Sequence, residues 1–327
     1  MIEDVLAQPH QVADALWRVD AAGIERRDRA GGLLVVGMGG SAIGGDLAAA
    51  AIGDRAVAPV RTVRGYAVEP WAGPETLALC ASYSGDTEET LAAFEAAGEA
   101  GVERVALTTG GELAARARDA GVPVIGVPAG MQPRAAVVYM FVAAIRCAAA
   151  AGAAPDLTPE IEDAGRLLGE LVEEWGEGGE PADLAAALAG RSVVIHGAGL
   201  TAPVAYRWKT QLNENAKVAA FASELPEANH NEIEGWRWGA EHARLAAAFL
   251  TAPGLHPRVD RRFERLRPVI EDAGAPVVEA RARGDTPVAQ LLSLVLLGDI
   301  VSVRLAELAG VDPDPVETIE RFKQSLG

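Results

Sequence analysis

The feature that most constrains this chain is a run of four apolar residues, Leu33-Leu34-Val35-Val36, that stops on a glycine and gives way to an alanine-rich stretch. Four residues are too few for a helix, and an unbroken apolar run fits a strand buried on both faces. The pattern recurs at residues 77–81, which enter Ser82-Tyr83-Ser84-Gly85-Asp86-Thr87 and a second helical stretch. Further strands are expected at 104–108 and 122–127, with helices over 112–120 and 133–151. Strand and helix alternate, which predicts an α/β fold with a parallel sheet flanked by helices, a three-layer α/β/α arrangement. An Ala/Gly/Pro-rich stretch at 151–159 marks a boundary, after which the alternation resumes. Strands are expected at 192–196, 245–250 and 276–280, and helices at 202–215, 257–273, 286–309 and 315–326. The reading is two related subdomains, residues 1–152 with a leading amphipathic helix over 2–18, and residues 153–327.

The formal charge of −17 and a pI near 4.8 argue against nucleic acid as a partner. They also require any anionic ligand to be held by a local cradle. Two cysteines, Cys80 and Cys147, make no disulfide framework, which fits a reducing cytoplasm. The N-terminus carries Glu3 and Asp4 in place of a signal pattern. The apolar stretch 135–145, bracketed by Arg134 and Arg146, is too short to span a bilayer, so no membrane is expected. None of the five histidines is paired at ligand spacing, so no metal is expected. Of 29 basic residues only Lys209, Lys217 and Lys323 are lysines, and a lysine kept against that bias suits a compact point charge.

Three stretches carry chemistry. Gly37–Gly45 reads as a loop between strand and helix, where glycines admit a ligand to backbone amides and a helix N-terminus. As a dinucleotide fingerprint it is incomplete: Ala42 stands at the third glycine, and Arg61–Arg64 occupies the region where an acidic residue is wanted. Ser82, Ser84 and Thr87 offer three hydroxyls at the next junction, suited to phosphate oxygens; Asp86 and Glu89 alternatively form a capping box there. Two such loops at the expected C-terminal ends of parallel strands favour a phosphate-bearing ligand over a purely structural turn. The third stretch, residues 211–236, sets Glu214 between two asparagines and His230 between two more. It reads either as a helix cap and a turn or as a proton-transfer site with a carboxylate base and an imidazole.

The segments GMGGSAIGGD, SYSGDTEET, QPR at 132–134 and NENAK…ELPEANHNEIEGW, in this order, resemble the bifunctional phosphoglucose/phosphomannose isomerases of the sugar isomerase (SIS) domain superfamily. The resemblance extends to the DPxPVxxIxxxK ending. It implies two SIS-type subdomains and a homodimer that uses no cofactor, neither metal nor nucleotide. The implied activity interconverts glucose 6-phosphate, and mannose 6-phosphate, with fructose 6-phosphate through a cis-enediol. It places the phosphate on Gly40, Ser41, Ser82, Ser84 and Thr87, and makes Glu214 the base between C1 and C2. His230 would assist ring opening from the partner subunit, Arg134 would stabilise the enediolate, and Lys323 would be an active-site lysine. Asp314 departs from the family's turn, where threonine is common, which bears on the mannose activity. The competing class is a SIS-type regulator that binds a sugar phosphate without converting it. Glu214, His230 and Lys323 favour the enzyme, since a sensor needs no base.

Overall fold

The computed structural model describes residues 1–176 and 178–325. The chain divides into two compact units, each organised around its own parallel sheet. One unit comprises Leu6–Glu170 and Gly284–Ser293; the other comprises Met1–Val5, Leu171–Arg283 and the residues from Leu294 onward.

The first unit holds strands β1 (Leu33–Gly37), β2 (Val60–Val63), β3 (Leu77–Ala81), β4 (Glu103–Thr108) and β5 (Val124–Gly126), in the order β2-β1-β3-β4-β5. The amphipathic leader is two helices, α1 (Ile2–Leu6), which lies almost wholly in the other unit, and α2 (Gln8–Ala21), rather than one over 2–18. Pro9 lies in the first turn of α2, where its missing N–H costs nothing, so the break precedes it. The remaining helices of this unit are α3 (Gly39–Ile52), α4 (Glu88–Glu99), α5 (Gly111–Asp119) and α6 (Val137–Ala150).

Both sheet faces are covered, by alternation along each strand. Leu34, Val36, Ala78, Cys80 and Ala106 pack with Ala93 and Phe94 of α4 and with Leu113 and Ala117 of α5. Val35 meets α3 on the opposite face, where a Cβ at Gly45 would sit 2.7 Å from its own. A Cβ at Gly44 would lie 2.5 Å from that of Met140, so this glycine lets α3 lie directly on α6.

The second unit holds β6 (Ser192–Gly197), β7 (Ala220–Glu224), β8 (Leu245–Thr251) and β9 (Val277–Arg281), in the order β7-β6-β8-β9. Its helices include α8 (Gly179–Leu188), α9 (Ala202–Glu214), α10 (Trp236–Ala243), α11 (Pro257–Asp272) and α13 (Glu317–Gln324). The unit boundaries fall inside α7 (Thr158–Trp175) and α12 (Pro287–Ala309). Helices α9 and α12 meet through a buried polar seam. Arg207 pairs with Asp299 at 2.7 Å, both side chains 1% exposed. Trp208 Nε1 donates to the Leu294 carbonyl at 2.8 Å, over the space left by Gly298. Asn215 Nδ2 donates to Ser302 Oγ at 2.9 Å. Breaking such a pair strands a buried charge, so the seam fixes one register of α9 on α12.

Two segments, Pro133–Ala150 and α12, are long and apolar enough to cross a membrane, but 78% and 94% of their respective windows are buried within the protein. The first is longer than the apolar stretch 135–145 because its helix continues through Arg146 to Ala150.

His196, on β6, is 1% exposed, and neither ring nitrogen has a hydrogen-bond partner among the described residues. It packs against Trp236 at 5.8 Å and edge-on against Phe249 at 5.5 Å. Burial lowers its pKa from 6.5 to about 4. A depressed histidine contributes stability that is complete above its unfolded pKa and is lost as pH falls toward the folded value. From pH 7 to pH 4, His196 is therefore expected to withdraw about 3 kcal/mol from this unit. Urea unfolding followed by tryptophan fluorescence should show the His196→Leu protein losing that much less stability than wild type over the same range. Parallel losses in the two proteins would assign the acid sensitivity elsewhere.

Candidate active site

In the first unit the site is built where β1 and β3 end. The two helices that follow these neighbouring strands cover opposite faces of the sheet, which opens a crevice between the strand ends. The glycine stretch is shorter as a loop than expected. Met38 is extended and caps α3, which begins at Gly39 with φ +50°. Gly44 and Gly45 are thus packing residues inside the helix, and only the first turn faces the crevice. There a Cβ at Gly40 would lie 3.3 Å from both Arg134 Cα and the Pro133 carbonyl oxygen. Gly40 is what allows the 132–134 segment to close on the start of α3.

The next loop is tied to this turn. Ser41 Oγ accepts the Tyr83 N–H at 3.2 Å. The Tyr83 hydroxyl donates to the Pro128 carbonyl and accepts the Met131 N–H, both at 3.0 Å, and so pins the approach to Arg134. Ser82 Oγ lies 2.8 Å from Thr87 Oγ1 and accepts the Gly85 N–H at 3.1 Å. Ser84 is exposed, its hydroxyl accepting the Asp86 N–H at 3.2 Å. Asp86 forms no box with Glu89: Thr87 is the N-cap of α4, and the Asp86 carboxylate instead accepts the Glu112 N–H of α5 at 2.9 Å. Arg134 is 4% exposed and donates to Gln132 Oε1 at 3.1 Å. The expected phosphate residues Gly40, Ser41, Ser82 and Thr87 are therefore brought together with Arg134, and Ser84 stands at their edge. Tyr83, which links the loops, was missed by sequence reasoning; its only signal was an aromatic residue among hydroxyls.

The second unit carries Glu214, His230 and Lys323. Glu214 ends α9, and each residue around it is tied down. Asn213 Nδ2 donates to the Val218 carbonyl at 2.8 Å, and Asn215 is locked to Ser302. Lys217, at φ +57°, donates from Nζ to the carbonyls of Glu214 at 2.6 Å and Pro315 at 2.8 Å. A pocket of about 560 Å³ opens here, lined by Asn213, Glu214 and Lys217 on one side and by Val316–Ile319 on the other. His230 ends a short 3₁₀ turn, Glu227–His230, on the surface of its own chain, with no hydrogen-bond partner for its ring among the described residues. Its neighbours shape the loop: Asn231 Nδ2 donates to Glu227, Ser223 Oγ to Glu232, and Arg262 to Asn229. The turn reading thus holds for these residues and leaves His230 over. Lys323 is exposed on α13, beyond the residues that line the Glu214 pocket. Asp314 lies 3.4 Å from the amino group of Met1. Lys209 sits over the Tyr206 ring at 5.2 Å.

At the strand ends of this unit a pocket of about 370 Å³ opens beside Thr251, Arg267, Glu279 and Arg281. Thr201 Oγ1 accepts the Ala198 N–H at 2.9 Å and donates to the Leu250 carbonyl at 2.8 Å, closing the turn after β6 on itself. The thiols of Cys80 and Cys147 are buried and free, and burial pushes both up to about 12, which removes them as nucleophiles.

Residues 178–326 match the model of the bacterial phospho-glucose isomerase C-terminal SIS domain. The bifunctional phosphoglucose/phosphomannose isomerase of Aquifex aeolicus is 36% identical over 296 residues, 90% of each chain. The enzyme of the same name from Caldicellulosiruptor bescii is 34% identical over 305 residues, 90% of this chain and 89% of its own. The chain belongs to this isomerase family. Among solved structures, the C-terminal domain of glucosamine-fructose-6-phosphate aminotransferase from Francisella tularensis superposes with a TM-score of 0.74 at 14% identity, covering 96% of this chain and 98% of its own. That likeness bears on the fold alone. Within the isomerase family, the hydroxyl pair of the first unit is the element suited to a dianion. If this pair holds a phosphate, Ser82→Ala with Thr87→Val should raise KM for a sugar phosphate by about tenfold or more, because two hydrogen bonds to charged oxygens would be lost. Steady-state kinetics would check this, and an unchanged KM would move the phosphate elsewhere.

Proposed function

We propose that this protein interconverts glucose 6-phosphate and mannose 6-phosphate with fructose 6-phosphate through an enediol. The observation that carries the reading is the 36% identity to a bifunctional phosphoglucose/phosphomannose isomerase across 90% of both chains. The chemistry of the residues agrees with it. The Glu214 carboxylate takes the proton from C2 of the open-chain aldose and returns it to C1, so one base serves both carbons. The buried Arg134 guanidinium stabilises the negative charge that develops on the enediolate oxygens. His230 moves the ring-oxygen proton as the pyranose opens, and Lys323 completes the charge around the sugar. Gly40, Ser41, Ser82, Ser84 and Thr87 hold the phosphate, whose remote binding energy positions the reacting carbons.

The exposure of His230 on its own chain supports a homodimer in which it serves the partner's site. We assign the subdomains to 1–152 and 153–327, and the cytoplasm as the compartment in which two free buried thiols are at home. Asp314 stands in the DPxP turn, where an acidic side chain bears on the sugar contacts and so on the mannose activity.

The test is a coupled assay on purified protein with chelator present, offering each aldose phosphate. Turnover of both is expected, and free glucose should be a very poor substrate. Glu214→Gln keeps shape but accepts no proton; it should lower turnover by about a thousandfold and stop deuterium entry at C2, read by NMR. Mixing that variant with His230→Ala should restore activity after subunit exchange. Wild-type deuterium incorporation in Glu214→Gln would remove Glu214 as the base, and no turnover by wild type would sink the isomerase reading.

A further inference from the structure

Helix α13 carries Lys323, yet none of its side chains is buried. Ile319 is 41% exposed and Phe322 64%. Eight residues form at most a marginal helix on their own, and α13 lacks the apolar burial that ordinarily holds such a helix in place. Its placement therefore depends on what grips the chain just before it. That grip includes Lys217. The Nζ of Lys217 bridges the last residue of α9 and the turn that leads into α13, accepting neighbours being the carbonyls of Glu214 and Pro315. The cost of arranging this is visible in the backbone. Lys217 is one of two non-glycine residues at positive φ among the described residues, a backbone conformation that disfavours a long side chain. A glycine would adopt the same turn without that penalty, so the position keeps a side chain for what its end reaches.

We infer that Lys217 is a positioning residue for the isomerase reaction: it clamps the Pro315 turn to the end of α9 and so holds α13, with Lys323, against the Glu214 pocket. The inference rests on the isomerase reading for its kinetic consequence and on geometry alone for the clamp. Lysine suits the task because a compact ammonium on a flexible stem can point at two carbonyls that diverge. The same charge also complements the C-terminal end of the α9 dipole, where a cation is favoured. Removing it should leave phosphate binding in place, because the phosphate residues lie in the other unit. The loss should thus fall on kcat.

Three full-length variants separate the possibilities. Lys217→Gly relieves the backbone and deletes the clamp, Lys217→Met deletes the charge but keeps the stem, and Lys217→Arg keeps donors on a cationic side chain. Lys217→Gly should unfold no more easily than wild type, yet its kcat should fall by about tenfold or more while KM for the sugar phosphate stays within about threefold. Lys217→Met should behave alike in kinetics, and Lys217→Arg should recover a substantial part of kcat. Hydrogen exchange by mass spectrometry should show α13 losing protection in the Gly and Met variants, with α9 unchanged. A Lys217→Gly protein that keeps wild-type kcat, or α13 protection equal to wild type in both variants, would overturn the inference. If wild type shows no isomerase activity, the functional reading fails, and the exchange measurement still decides whether the clamp exists.

Discussion

A parallel strand buried on both faces leaves little room for chemistry except at its ends. Every strand of the first sheet is parallel to its neighbours, and α4 and α5 on one face and α3 on the other cover the side chains between. The candidate site residues of that unit accordingly come from the ends of β1 and β3 and from the segment that Tyr83 holds beside them. The packing that buries the sheet and the crevice that faces solvent are not independent. Gly44 and Gly45 let α3 settle on α6 and on β1, and that placement sets the direction in which the first turn, with Gly40 and Ser41, must point.

Continuous apolar runs were legible as strands because burial on two faces leaves no polar position to confuse the pattern. Residues 77–81 are strand from end to end as expected, and 33–36 extends by one residue, Gly37. Two of the four edge strands, β2 and β7, were harder to see. Val60–Val63 includes Arg61 and Thr62, and Ala220–Glu224 is largely exposed, because an edge strand needs fewer apolar side chains. The start of α3 was misjudged for a related reason: a glycine run looks like a loop until the close neighbours that demand it are known.

Among the site residues, the types were legible and the supports were not. Hydroxyls, a carboxylate, an imidazole and an arginine announce themselves by their chemistry. The roles of Tyr83, of Asn215 with Ser302, and of Lys217 depend on partners far along the chain, and no local pattern encodes those partners. Asp86 shows the converse. Its spacing to Glu89 suited a capping box, but α5 offered its carboxylate an amide across the loop, and the tertiary contact prevailed.

The two thiols have a practical consequence. Cys80 lies inside the first sheet and Cys147 inside α6, and neither is exposed to solvent. The chain is in effect silent toward maleimides and similar thiol reagents while folded. A cysteine introduced at an exposed position of α13, such as Gln324, would therefore take up a fluorophore alone, and the motion of that helix could be watched directly without first stripping the protein of its own sulfur.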